Sequence, residues 1–128
     1  MPTFKFHHIH LLSRDPRATA QYYQRIFGAK VIESVQSNGK PRIDLDMHGL
    51  PIFILPVPPE DPTPPGPPAP YLGLDHFGFL VDNLDEAAAE LKRRGAEFFM
   101  EPRTARPGVR IAYVRGPENV RIELVERA

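Results

Sequence analysis

The chain contains no cysteine, which excludes disulfides, thiolate metal ligands and a cysteine nucleophile and leaves His, Asp and Glu as the strong ligand types. It has no excess of charge of either sign, because sixteen Lys and Arg balance sixteen Asp and Glu. There is therefore no basic field to attract nucleic acid and no cationic face for a lipid surface; the expected partner is a small-molecule substrate, with no nucleic acid and no membrane. No apolar run approaches the roughly 18 residues of a membrane span, and the opening MPTFKF lacks a signal pattern, so a cytoplasmic location is expected. At 128 residues the chain is in the range of one domain and buries roughly two-thirds of its unfolded surface without a covalent staple.

Proline, by contrast, is concentrated. PVPPEDPTPPGPPAP, Pro56 to Pro70, holds nine prolines in fifteen residues, a stretch that neither pairs in a sheet nor forms a helix and reads as a polyproline II spacer with a reach of about 45 Å. On either side of it the chain repeats itself. HIHLLSRDPRATAQYYQRIFG begins at His8 and HFGFLVDNLDEAAAELKRRG at His76, sixty-eight residues later, and the two align without a gap almost to their closing glycines. Each copy runs from a His through a short apolar stretch to a helix start (Asp15 before Pro16; Asn83 or Asp85) and on to a capping glycine, Gly28 or Gly95. Thr19, Tyr22, Tyr23, Ile26 and Phe27 form the apolar stripe of the first helix, and Leu84, Ala87, Ala88 and Leu91 that of the second.

Three strand candidates follow each helix: 30–36, 42–47 and 52–57, then 97–100, 109–115 and 121–126. The expected fold is α+β, two βαβββ modules forming a curved mixed or antiparallel sheet cup, with module one at 1–57, a proline-rich linker at 58–70 and module two at 71–128. Alternation sorts the side chains. If Ile9 and Leu11 face the helix, His8, His10 and Leu12 face away; Phe77, Phe79 and Val81 leave His76 on the matching face, and Ile122 and Leu124 leave Glu123 there. Should the sheets curl together, His8, His76 and Glu123 converge as two imidazoles and a carboxylate. That set suits iron(II) first, and also manganese, nickel, cobalt or zinc. On this reading His10 is an acid-base or substrate-contacting group and His7 a packing or surface residue.

HHIHLLSRDP with QYYQRIFGA, LDHFGFLVDNLDEAAAELKRRGA and YVRGPENVRIELVE together resemble the vicinal oxygen chelate superfamily: glyoxalase I, methylmalonyl-CoA epimerase, fosfomycin-resistance transferases, bleomycin-binding proteins and extradiol dioxygenases. The resemblance spans both modules. It implies a divalent metal at His8, His76 and Glu123 that chelates neighbouring oxygens of a substrate. The glyoxalases and epimerases add a fourth ligand, Glu or Gln, on the strand ending their first module, but laying PIFIL over RIELV sets Phe53 opposite Glu123, and phenylalanine binds no metal. Three outside positions then leave room for a chelating substrate and dioxygen, as in extradiol dioxygenases. Tyr113, Pro117 and Glu123 partly match the closing signature of those enzymes; Gly116 and Asn119 depart from it, and Thr104, Ala105 and Arg106 stand where a second-sphere histidine belongs. The fosfomycin transferases share the three ligands but carry threonine where His10 stands.

The resemblance thus implies a metal-dependent enzyme with an oxygenase-type reaction. Two alternatives stay open: a glyoxalase I-like lyase, isomerase or epimerase, and a non-catalytic binder of the bleomycin-resistance type. His10 and Tyr113 are the catalytic candidates, and Phe53, Leu55 and Arg121 the substrate-pocket candidates. Arg42, Asp44, Asp46 and His48 alternate along one strand and read as a solvated edge. The family commonly closes open sheet edges by pairing chains, so a homodimer is expected.

Overall fold

In the computed structural model, which describes Met1–Ala128, the chain runs β-α-β-β-β twice. The first unit, Met1–Thr63, contains β1 (Ile9–Ser13), α1 (Pro16–Phe27), β2 (Lys30–Val35), β3 (Pro41–Met47) and β4 (Leu50–Pro56). The second, Pro64–Ala128, contains β5 (Phe77–Leu80), α2 (Leu84–Arg93), β6 (Glu97–Arg106), β7 (Val109–Arg115) and β8 (Arg121–Arg127). Each unit has its own four-stranded sheet, ordered β1-β4-β3-β2 and β5-β8-β7-β6. The hairpin partners are antiparallel, but the first strand of each unit pairs parallel with the last, β1 with β4 and β5 with β8. The expected α+β architecture with mixed sheets is what the chain adopts.

The helices start and stop where side-chain chemistry directs. Asp15 accepts a hydrogen bond from the Ala18 N–H at 3.1 Å, and Pro16, whose missing N–H costs nothing at the first helical position, follows it. Asn83 does the same for Glu86 N–H at 3.0 Å, and the Leu84 N–H is taken by Glu126 Oε1 at 2.7 Å. The left-handed Gly28 closes α1, with its N–H on Gln24 O at 3.0 Å. Thr19, Ala20, Tyr23 and Ile26 of α1 are buried with Leu45, Met47, Ile52 and Ile54 of its sheet; Leu84, Ala88 and Leu91 of α2 are buried with Ala112, Val114, Ile122 and Leu124. Each core is therefore one helix stripe on one sheet face, as the three-to-four and two-residue spacings require.

Three elements differ from the sequence reading. β3 lies between β4 and β2, so Arg42, Asp44 and Asp46 stand on the open face of an interior strand and not on an edge. Burial of Ile43, Leu45 and Met47 on the other face explains why the strand is interior. His48 leaves that row altogether: it sits in the turn after β3, and its Nε2 pairs with Phe27 O, at the end of α1, at 2.7 Å. β6 extends to Arg106, because an edge strand tolerates Pro102 where its pairing with β7 shifts register between Met100 and Arg103.

The proline run is not a free spacer. Arg14 holds its beginning, donating to Pro58 O at 3.0 Å and to Thr63 O. In the second unit the run is clasped at Gly66, whose N–H donates to Glu118 O at 2.9 Å and whose carbonyl accepts from Asn119 Nδ2 at 3.1 Å. No helix of the chain is long and apolar enough to cross a membrane.

Candidate functional site

In the second unit His76 stands one residue before β5 and Glu123 inside β8, on the sheet face away from α2. The register pairs Gly78 with Glu123, and a Cβ on Gly78 would come within 3.3 Å of the Glu123 Cβ and carbonyl oxygen. Glycine at this position is what gives the carboxylate its space. His76 Nε2 and Glu123 Oε2 lie 3.6 Å apart, with side chains only 27% and 17% exposed. On its other nitrogen His76 donates Nδ1–H to Asp75 Oδ2 at 2.7 Å, and Arg121 holds the same oxygen at 2.5 Å. That tautomer leaves the Nε2 lone pair facing Glu123. Two donors each about 2.0–2.2 Å from a single ion stand no more than about 4.3 Å apart, so the pair fits a shared divalent ion.

Charges around the pair are ordered by these contacts. The hydrogen bond from His76, with Arg121 adding to it, holds the Asp75 carboxyl below the usual carboxylate range. Burial, and then the hydrogen bond it gives Glu123, push the Tyr113 phenol up, so the phenol keeps its proton and serves as a donor. The Tyr113 ring lies edge-on to His76 with centroids 5.0 Å apart, and the Arg121 guanidinium sits 4.4 Å over its face.

The first unit repeats the frame with different chemistry. β1 and β4 pair His10 with Phe53, as β5 and β8 pair Gly78 with Glu123; β3 pairs Asp44 with Phe53, as β7 pairs Tyr113 with Glu123. Phe53 therefore holds in this unit the place that Glu123 holds in the other, as the alignment of PIFIL with RIELV implies. His8 packs against it, the rings tilted at 36° with centroids 4.4 Å apart. Like His76, His8 stands one residue before its strand, and its Nδ1 is engaged by the preceding side chain, His7 Nδ1, at 2.8 Å. His10 is exposed, 6.1 Å from the Phe53 ring. Asp44 binds Arg42 at 2.6 Å and accepts the Ile54 N–H at 3.1 Å, closing the sheet where the β3–β4 ladder ends. A cavity of about 430 Å³ opens here, with His10, Arg42, Ile43, Ile54 and Leu55 in its lining.

Of the residues selected from sequence, the second unit brings His76, Glu123, Tyr113 and Arg121 together, and the first brings His8, His10, Phe53 and Leu55 onto or beside one face. Neither unit by itself gathers three His, Asp or Glu side chains in a metal-sized cluster. The sequence reading missed Asp75 and gave His7 only a packing or surface place; each is adjacent to a candidate ligand and bonds to it. Their signal was the sixty-eight-residue offset itself, which sets Asp75-His76 over His7-His8.

Comparison with known proteins identifies the fold. The chain is 30% identical over 128 residues to the uncharacterized protein YwkD of Bacillus subtilis, covering 94% of this chain and 95% of that protein. A glyoxalase family protein from Enterococcus faecalis superposes with a TM-score of 0.71 at 27% identity, over 95% of this chain and 97% of its own. A fosfomycin resistance protein, FosX, from Listeria monocytogenes was crystallised as a mutant with Mn(II) and 1S,2S-dihydroxypropylphosphonic acid. It shares the fold with a TM-score of 0.71 at 24% identity, over 96% and 90% of the two chains. The family model described as the Glyoxalase/Bleomycin resistance protein/Dioxygenase superfamily matches residues 5–124, and with both βαβββ units formed the chain belongs to that superfamily.

Proposed function

We propose that the protein is an enzyme that holds a divalent metal ion through His8, His76 and Glu123 and chelates two neighbouring oxygens of a small substrate, with an oxygenase-type reaction favoured over a glyoxalase-like isomerisation or epimerisation. The observation that carries this reading is the His76–Glu123 pair, 3.6 Å apart and backed by Asp75 and Tyr113. When bound, the ion supplies Lewis-acid stabilisation of the substrate oxygens. Asp75 fixes the His76 tautomer, Tyr113 donates to Glu123, and His10 stands on the open face as a group for moving a proton. Phe53 at the place of a fourth ligand favours an ion with open positions, hence iron(II) ahead of manganese, nickel, cobalt or zinc. We place the protein in the cytoplasm as a homodimer.

The test begins with metal analysis of protein purified without chelator. About one equivalent per chain is expected, lost in His8→Ala, His76→Ala and Glu123→Ala, with affinity lowered about 10- to 100-fold in Asp75→Asn. A chain that takes up no Fe(II), Mn(II), Ni(II), Co(II) or Zn(II) is a metal-free binder instead, the reading that the 430 Å³ cavity of the first unit supports. Oxygen uptake with catechols and 2-keto acids, set against anaerobic isomerisation of hemithioacetals, separates the two enzymatic reactions.

A further inference from the structure

The clasped end of the proline run walls a second cavity, of about 710 Å³, lying wholly within the second unit. Pro65, Gly66 and Pro68 line it together with Phe99, Arg115 and Arg121. The strap is held there by specific contacts. Glu118 and Asn119 both adopt positive φ, at 58° and 65°, a turn that presents Glu118 O to the Gly66 N–H and Asn119 Nδ2 to the Gly66 carbonyl. The Gly66 backbone passes so close that a Cβ would meet Glu118 O at 3.0 Å. Asn119 Oδ1 in turn accepts from Arg115 at 3.1 Å, so the clasp on the strap and the position of one guanidinium are a single network.

The lining itself holds two guanidiniums and no carboxylate, beside an aromatic ring and prolines; each guanidinium also pairs with a carboxylate outside the lining, Arg121 with Asp75 at 2.5 Å and Arg115 with the exposed Glu97 at 3.7 Å. Arg115 lies 4.4 Å over the Phe99 ring and Arg121 4.4 Å over Tyr113. A guanidinium resting on a ring is fixed in orientation, and its planar fork of five donors can hold a protein partner and a ligand oxygen together. Arg121 also reaches His76 through Asp75, and it shares a face of β8 with Glu123, two residues on and about 7 Å away.

We propose that this cavity is the binding site for a small organic carboxylate with a flat apolar body, its carboxylate between Arg115 and Arg121 and its body between Phe99 and the proline strap. Resting on the metal reading above, the substrate is then an unsaturated or aromatic acid whose neighbouring oxygens point along β8 toward Glu123.

Titration of the metal-free protein, followed by the amide signals of Gly66 and Asn119 and the ring signals of Phe99, tests this with benzoate, benzamide and inorganic phosphate as probes. Benzoate is expected to saturate in the millimolar range and to shift all three, while benzamide binds at least about tenfold more weakly because it lacks the charge-assisted hydrogen bonds. Arg115→Gln should weaken benzoate about tenfold, and Arg115→Lys, which keeps the charge without the fork, should restore only part of this. Gly66→Ala displaces the strap from outside both cores and should weaken benzoate while leaving the α-helical circular dichroism unchanged. Equal binding of benzoate and benzamide overturns the proposal, as does phosphate binding as tightly as benzoate, or benzoate binding unaffected by Arg115→Gln and Gly66→Ala. Because no metal is present, failure here leaves the metal reading standing, and a failed metal analysis leaves this site standing.

Discussion

Tyr23 carries a phenol that its surroundings do not use. The side chain is fully buried in the first core and its hydroxyl has no hydrogen-bond partner, an arrangement that costs about 1–3 kcal/mol against a satisfied or absent group. Tyr23→Phe is therefore expected to stabilise the protein by about 1 kcal/mol, read from the urea midpoint. The same burial, with Tyr22 adding to it, pushes the Tyr23 phenol up, beyond the range in which an unfolded tyrosine loses its proton. The folded chain thus keeps a proton that the unfolded chain releases near pH 10, so this group's contribution is constant below about pH 10 and is lost as pH rises further. Wild type and Tyr23→Phe should differ more at pH 10.5 than at pH 8; a constant difference overturns this account. Among single residues, the face that Glu123 takes was legible because alternation fixes it for a residue inside a strand. The bonds of Asp75 and His7 were not: the offset sets the two pairs over one another, but whether sequence neighbours bond depends on side-chain rotamers.

The two helices are built to one plan but secured differently. At α1 the Asp15 side chain is the cap, and no acidic residue stands in the first turn. At α2 Asn83 is joined by Glu126, which takes the Leu84 N–H, and Asp85 and Glu86 face the positive end of the helix dipole. Asp15→Ala should cost about 1 kcal/mol and Asn83→Ala less, compared by urea unfolding; the opposite order would mean that Glu126 and the acidic turn contribute nothing. Caps, apolar stripes and turn residues made these helices legible in sequence to within a residue. β6 was not, because Pro102 reads as a stop unless the strand is known to be an edge, and edge position is a property of sheet order. The same ignorance of order made interior β3 read as an edge, its polar open face standing in for solvent.

At the scale of the molecule, each sheet is open. β1 and β2 bound one and β5 and β6 the other, and edges of this kind are templates for pairing unless something covers them. Leu72, Leu74 and Leu80 are also well exposed, more apolar surface than isolated residues need. Sedimentation at micromolar concentration is expected to give twice the 14.5 kDa of one chain; a single-chain mass rejects the dimer. The duplicated architecture was legible because a fixed offset relates both copies. The behaviour of the proline run was not, since composition forbids helix and sheet without stating which carbonyls neighbouring side chains will seize.

That seizure is divided. Arg14 grips the run as far as Thr63, and Asn119 grips it from Gly66 onward, with the border between the units at Thr63 and Pro64. Anyone wishing to produce the halves as separate pieces should sever that one peptide bond. Cutting at either margin of the proline tract would deprive one fragment of residues that its own arginine or asparagine needs to hold.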